Sequence, residues 1–151
     1  SVQSRLHDVG KIHIPIEILR KPATLTHDET EMLKSHTTEG ARILGKHPRL
    51  RMAADIALTH HERFDGTGYP HGLKGEDIPI EGRIVRLADI YDALRSHRSY
   101  KGAQDHETAF RTITEGDGRV MPCQFDPEIL DVFRRIGHRF EDVYESLLDV
   151  V

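Results

Sequence analysis

Residues 52–75 constrain this chain more than any other stretch. An apolar run with helix periodicity, Met52-Ala53 and Ile56-Ala57, ends in two adjacent histidines, His60 and His61. Glu62-Arg63-Phe64-Asp65-Gly66-Thr67-Gly68-Tyr69-Pro70-His71-Gly72-Leu73-Lys74-Gly75 follows, a loop rich in glycine. Adjacent helical residues point about 100° apart, so the two imidazoles are not expected on one face of one ion. They are expected to meet two neighbouring ions, or an ion and a substrate. Taken alone, the stretch also fits a surface His-His pair running into an ordinary loop. The rest of the chain decides between these.

At 151 residues the chain is read as one domain, 1–151, large enough for a hydrophobic core. Charged residues make up 30% and apolar residues 37%, and no apolar run reaches the length of a bilayer span. A membrane protein is therefore excluded. The formal net charge of −4 argues against a nucleic-acid polymer as partner. A phosphate substrate would then need metal cations or a local basic cluster. Cys123 is the one cysteine, which rules out a disulfide framework or a CxxC site. No signal peptide is visible, and a cytoplasmic location is expected. Histidine is the unusual count, at 11.

Val2, Leu6 and Val9 sit at helical spacing, and the first helix is read as lacking its beginning. It carries His7-Asp8-Val9-Gly10-Lys11. One imidazole beside one carboxylate suits a transition metal. Gly10 is expected to allow a tight turn, and Lys11 to bring a cation to the acidic pair. A helix C-terminus with a nearby lysine would explain the same residues. Pro15 is expected to start a short helical turn. Thr26 and Glu29 form a capping box, opening a helix that runs toward His36 and is interrupted at Gly40. A histidine closing an apolar stripe can simply be a satisfied core residue.

Pro48 is expected to start the helix that delivers His60 and His61, and Pro79-Ile80 the next one. In that helix Asp89 falls within the pattern Ile84-Val85, Leu87-Ala88, Tyr91, Leu94. A carboxylate on such a stripe is costly unless paired or metal-bound. Asp92 is read as solvated. Arg95, Arg98 and Lys101 form a basic cluster, Asp105 caps a helix, and Asp126-Pro127 starts the closing helices. His13, His27, His47, His71, His97, His106 and His138 are read as surface or capping residues. No strand alternation, repeat or linker is evident, so the fold is expected to be all-α.

The ligand-capable residues are His7, Asp8, His36, His60, His61 and Asp89. Helical elements can bring them together. Four imidazoles and two carboxylates exceed one tetrahedral ion and suit two octahedral ones, with Asp8 able to bridge. Water bridging such ions is acidified and can attack phosphorus as hydroxide.

His7-Asp8-Val9-Gly10-Lys11 resembles the HDxGK signature of HD-GYP domains. His60 to Pro70 resembles the family's HHExxDGxGYP signature. Leu73-Lys74-Gly75, Ala88-Asp89-Ile90-Tyr91-Asp92-Ala93 and Phe125-Asp126-Pro127 follow in the family's order. The resemblance implies an HD-domain helical bundle and a phosphodiesterase hydrolysing cyclic di-GMP to pGpG or GMP in bacterial signalling. It implies His7, Asp8, His36, His60, His61 and Asp89 as ligands of two divalent transition-metal ions, Fe or Mn first, Zn or Ni as alternatives. Asp8 and Lys11 are the implied catalytic residues. Arg98, Lys101 and Tyr69 are the implied substrate contacts, with Ser99 standing where the family has proline.

The GYP loop is an implied docking surface for GGDEF-domain proteins. The family's helices ahead of the HD motif supply a further histidine, and in three-metal members a glutamate. Neither is in this sequence. A bundle missing its N-terminal helices is therefore expected, with one ion under-ligated and an uncovered face open to homodimerisation. Two other functions stay open: a phosphohydrolase of another nucleotide, and a catalytically inert signalling module.

Overall fold

The computed structural model describes residues 6–96 and 103–148. Among them every regular element is helical, as expected. Arg98 and Lys101, two of the expected substrate contacts, lie outside the described residues, as does His97. Contacts gather into two compact units, 1–86 and 87–151.

In the first unit a 3-10 helix, Val9–His13, precedes α1 (Ile16–Leu19), α2 (His27–Lys34), α3 (His36–Leu44) and α4 (Arg51–Thr59). The HD motif therefore sits at the entry to a 3-10 helix rather than on an α-helix. Pro15 is the N-cap of α1. The capping box opens α2: Glu29 N–H donates to Thr26 Oγ1 at 3.3 Å and Thr26 N–H to Glu29 Oε2 at 2.7 Å. The helix ends at Lys34, however, and His36 starts α3 instead of closing α2.

Gly40 does not interrupt α3. It is buried in mid-helix, where a Cβ would lie 3.3 Å from Ala57 Cβ of α4. Gly10 likewise serves close approach, not a turn: its φ is not positive, and a Cβ there would lie 1.9 Å from the His36 carbonyl oxygen. These two glycines let the 3-10 helix, α3 and α4 pack backbone against backbone. The small core beneath them is Leu44, Ala53, Ala54 and Ala57, joined by Leu6, Val9 and Leu50. Met52, part of the expected stripe, is half exposed.

α5 (Ile80–Arg95) reaches from Pro79 as expected, and its residues from Leu87 onward belong to the second unit. Leu87 and Tyr91 are buried, whereas Ala88 is exposed. α6 (His106–Glu115) is capped by Asp105, which accepts from Thr108 N–H at 2.8 Å. α7 (Pro127–Leu148) is one helix of 22 residues rather than two. Asp126 caps it, accepting from Glu128 N–H at 2.8 Å. The core of this unit is Leu87, Tyr91, Ala109, Ile113, Phe125, Leu130 and Phe133. Phe133 stands edge-on to Phe140, with ring centroids 4.9 Å apart. No helix among the described residues is long and apolar enough to cross a membrane.

Candidate metal centre

Five of the six expected ligands gather in the first unit. His7 and Asp8 precede the 3-10 helix, His36 is the first residue of α3, and His60 and His61 follow the last residue of α4. Each lies at an element end, where the chain changes direction and side chains from separate helices can meet. Ring centroids are 4.9 Å apart for His7 and His60, 5.4 Å for His36 and His60, and 5.1 Å for His36 and His61. His60 and His61 lie only 4.1 Å apart. Contrary to the expectation that these neighbours diverge, His60 and His61 share one compact donor group just past the last residue of α4.

The imidazoles are oriented from behind. His36 Nδ1 lies 2.6 Å from the Leu33 carbonyl oxygen, and His60 Nδ1 lies 3.0 Å from that of Ala57. A carbonyl only accepts, so both Nδ1 atoms carry the proton and both Nε2 atoms present a lone pair in the neutral ring. Those Nε2 atoms face each other at 3.4 Å in the buried interior, with each residue 1% exposed. Two facing lone pairs repel, and a positive centre beside them relieves that. Burial is the main influence on His36 and pushes its pKa below the ordinary value. The Leu33 and Asp8 contacts work in the opposite direction without overcoming burial.

Asp8 completes the arrangement. Its Oδ1 is 3.5 Å from His36 Nε2 and 3.9 Å from His60 Nε2. Its Oδ2 is 3.5 Å from His7 Nε2 and accepts from Lys11 Nζ at 2.6 Å. Two groups of donor atoms are compact enough for an ion: His36, His60 and His61, and His7, Asp8 and His60. His60 belongs to both, but one imidazole lone pair serves one ion. A carboxylate has two oxygens, and those of Asp8 point toward different imidazoles. The donor set thus fits metal, in the nitrogen-rich mixture that suits transition ions rather than calcium.

Asp89 is in neither group. It is half-buried on α5, in the second unit. The stripe expected to carry it inward is displaced, since Ile84 is 51% exposed and Ala88 is exposed as well.

Tyr69 is stacked on His61, with centroids 4.8 Å apart and planes 23° apart. The Lys34 ammonium lies 5.5 Å from the Tyr69 ring centroid, a cation that the sequence did not bring to notice. Glu62 was also missed. It is 1% exposed, and its carboxylate accepts from His71 N–H at 2.7 Å and Leu73 N–H at 3.0 Å. Its signal was available: an acid directly before a glycine-rich loop meets N–H groups that no helix satisfies. Of the remaining histidines, His47 caps a 3-10 helix by accepting from Arg49 N–H. His106 is more than a surface residue, because its Nδ1 meets the Tyr91 hydroxyl at 2.8 Å.

A family model described as HD domain matches residues 2–129. The chain is 49% identical over 146 residues to a cyclic di-GMP phosphodiesterase of Thermotoga maritima, covering 95% of this chain and 39% of that protein. It is 40% identical over 148 residues to 3'3'-cGAMP-specific phosphodiesterase 2 of Vibrio cholerae, covering 97% of this chain and 28% of that protein. The chain thus spans well under half the length of these relatives. Among solved structures, a cyclic GMP-AMP specific phosphodiesterase of Vibrio cholerae superposes with a TM-score of 0.58 at 21% identity. That match covers 89% of this chain and 37% of the other, and it supports the all-helical fold.

Proposed function

The chain belongs to the HD domain family, in its HD-GYP branch, and we propose on that premise that it is a metal-dependent phosphodiesterase acting on cyclic di-GMP. Residues 1–151 are taken as one domain core. His7, Asp8, His36, His60 and His61 would hold two divalent transition-metal ions, Fe or Mn in the first instance. Asp89 would be the sixth ligand by resemblance, and Asp8 would hold metal through its carboxylate. When bound, such ions supply Lewis-acid activation of water and offset negative charge at phosphorus.

The chain's own groups do the rest. The Leu33 and Ala57 carbonyls keep the Nε2 lone pairs of His36 and His60 turned inward. Lys11 orients the Asp8 carboxylate and brings positive charge to a site whose substrate is anionic. Arg98 and Lys101 are proposed to bind the phosphates, and Tyr69 to line the site. In the reaction, water's oxygen joins phosphorus while the 3' oxygen leaves with a proton. One cut gives pGpG and a second gives GMP. Docking of a GGDEF-domain protein on the GYP loop, homodimerisation and a cytoplasmic location belong to the same reading.

The observation that carries this proposal is the buried pair of Nε2 atoms 3.4 Å apart beside Asp8. The test is incubation of the Mn- or Fe-loaded protein with cyclic di-GMP, and chromatography of the products. Formation of pGpG or GMP is expected, and Asp8→Ala should abolish it together with metal binding. Replacing Arg98 and Lys101 by alanine should raise KM and leave metal content alone. A fully loaded protein that releases no product would overturn the enzyme and leave the inert module. The 40% identical relative named for 3'3'-cGAMP favours running that dinucleotide in parallel, as the second reading.

A further inference from the structure

A carboxylate one residue beyond His61 is a natural metal ligand, yet Glu62 belongs to neither metal-capable group. It is buried instead against backbone, which is costly for a carboxylate unless its oxygens are satisfied. Here each oxygen takes one N–H, from His71 and from Leu73. These residues flank Gly72, whose φ of 65° is the left-handed conformation. Such a residue turns neighbouring N–H groups toward one point, forming an anion-binding nest. The nest on this loop is filled by the chain's own Glu62.

The loop it grips passes directly over the end of α4. A Cβ on Gly68 would lie 2.5 Å from Glu62 Cα, so only glycine allows that approach. The next residue, Tyr69, donates its N–H to the His61 carbonyl at 3.3 Å and lays its ring on the His61 imidazole. The grip of Glu62 on positions 71 and 73 and the contact of Tyr69 with His61 therefore bracket one short segment.

We propose that Glu62 is a positioning residue for the metal centre: its carboxylate latches the loop to the end of α4, seats Tyr69 on His61, and thereby holds that imidazole toward His36 and His60. The inference rests on the metal-binding part of the function proposed above and requires no turnover. It places Glu62 as a group that acts through Tyr69 and His61 without touching ion or substrate. Outer-shell groups of this kind set ligand orientation before the ion arrives.

Glu62→Gln tests it, because one acceptor oxygen becomes an amide NH2 that confronts a backbone N–H. Zinc serves as a redox-inert probe, with its affinity read by competition against a chelator. NMR on the metal-free protein reads the contact between the His61 and Tyr69 rings, and hydrogen exchange reads the His71 and Leu73 amides. Expected are a roughly 10–100-fold loss of zinc affinity, loss of the ring contact, and faster exchange at both amides. A folded variant with unchanged zinc affinity and an intact ring contact would overturn the proposal. A purely stabilising Glu62 would lower the melting temperature and leave both of those readouts alone.

Tyr69→Ala keeps the latch and removes the stack, so it should lose zinc affinity by itself. Retained affinity there overturns the proposal even if Glu62→Gln does not fold. Should the unmutated chain bind no zinc, the metal reading fails separately. The ring contact in metal-free Glu62→Gln would still decide the latch, and its persistence would overturn it.

Discussion

Residues 1–86 and residues 87–151 have different kinds of interior. The second unit is packed with large apolar side chains, Leu87, Tyr91, Ile113, Phe125, Leu130 and Phe133, and Tyr91 and Phe140 meet Phe133 edge to face. The first unit has small residues where its helices touch, Gly10, Gly40, Ala53, Ala54 and Ala57, and polar groups in its interior, His36, His60 and Glu62. The apolar interior gains stability from every contact it makes. The polar interior accepts desolvation of imidazoles and a carboxylate in return for ligand atoms held in place. The second unit is thus held mainly by apolar contact, and the first also buries ligand-capable side chains that a cation would satisfy.

The largest expected effect separates these interiors by volume. Phe133→Ala should cost roughly 3–5 kcal/mol through lost transfer energy and a cavity, while the folded variant keeps its zinc affinity. Denaturation in parallel with metal titration checks this, and a variant that loses both together would break the contrast. Metal is the corresponding lever on the first unit. With free metal at 100 times the dissociation constant, stripping should remove about 2.7 kcal/mol per ion. Hydrogen exchange should show the loosening among amides of α3 and α4 first; uniform loosening of both units would argue against a cation-completed interior.

Gly10→Ala sharpens the comparison further. The added methyl would meet the His36 carbonyl, which is backbone and cannot swing aside. A loss of about 1–3 kcal/mol is expected, with weaker zinc binding because His36 itself must move. Equal zinc affinity in a stable variant would show that this approach does not set the site. At the other end, Asp126→Ala removes a helix cap from the second unit and should cost about 1 kcal/mol, with zinc binding untouched.

The smallest effect is a pH dependence. Burial holds His36 below its ordinary pKa, so the folded, metal-free protein favours the neutral ring. The unfolded chain takes up that proton near pH 6.5. The contribution of His36 is therefore fully present above about pH 6.5 and is lost as pH falls from there through the lower, folded value. Urea midpoints of the metal-free protein and of His36→Gln, compared between pH 8 and 5, should converge on acidification. Parallel profiles would mean that His36 is not held neutral.

Sequence by itself determined what depends on neighbours three or four residues away. The capping box at Thr26 and Glu29, the caps at Asp105 and Asp126, and the proline starts at Pro15 and Pro79 each report a local choice between helix and not-helix. Together they make the chain all-α. His7, Asp8, His36, His60 and His61 were legible as ligands through the resemblance of the HD and HHE stretches to the HD-GYP signatures. The structure then brings these five into two donor groups that share His60.

What only the tertiary structure decided depends on backbones that meet from distant positions. Gly40 looks like a helix breaker until α4 is seen against it, and Gly10 looks like a turn until α3 is. Asp89 fits an apolar stripe by spacing and is half-buried on α5, where Leu87 and Tyr91 take the interior. Glu62 stands before a glycine-rich loop whose N–H groups no helix satisfies. That it becomes their buried partner depends on the loop folding back over the end of α4, which packing sets.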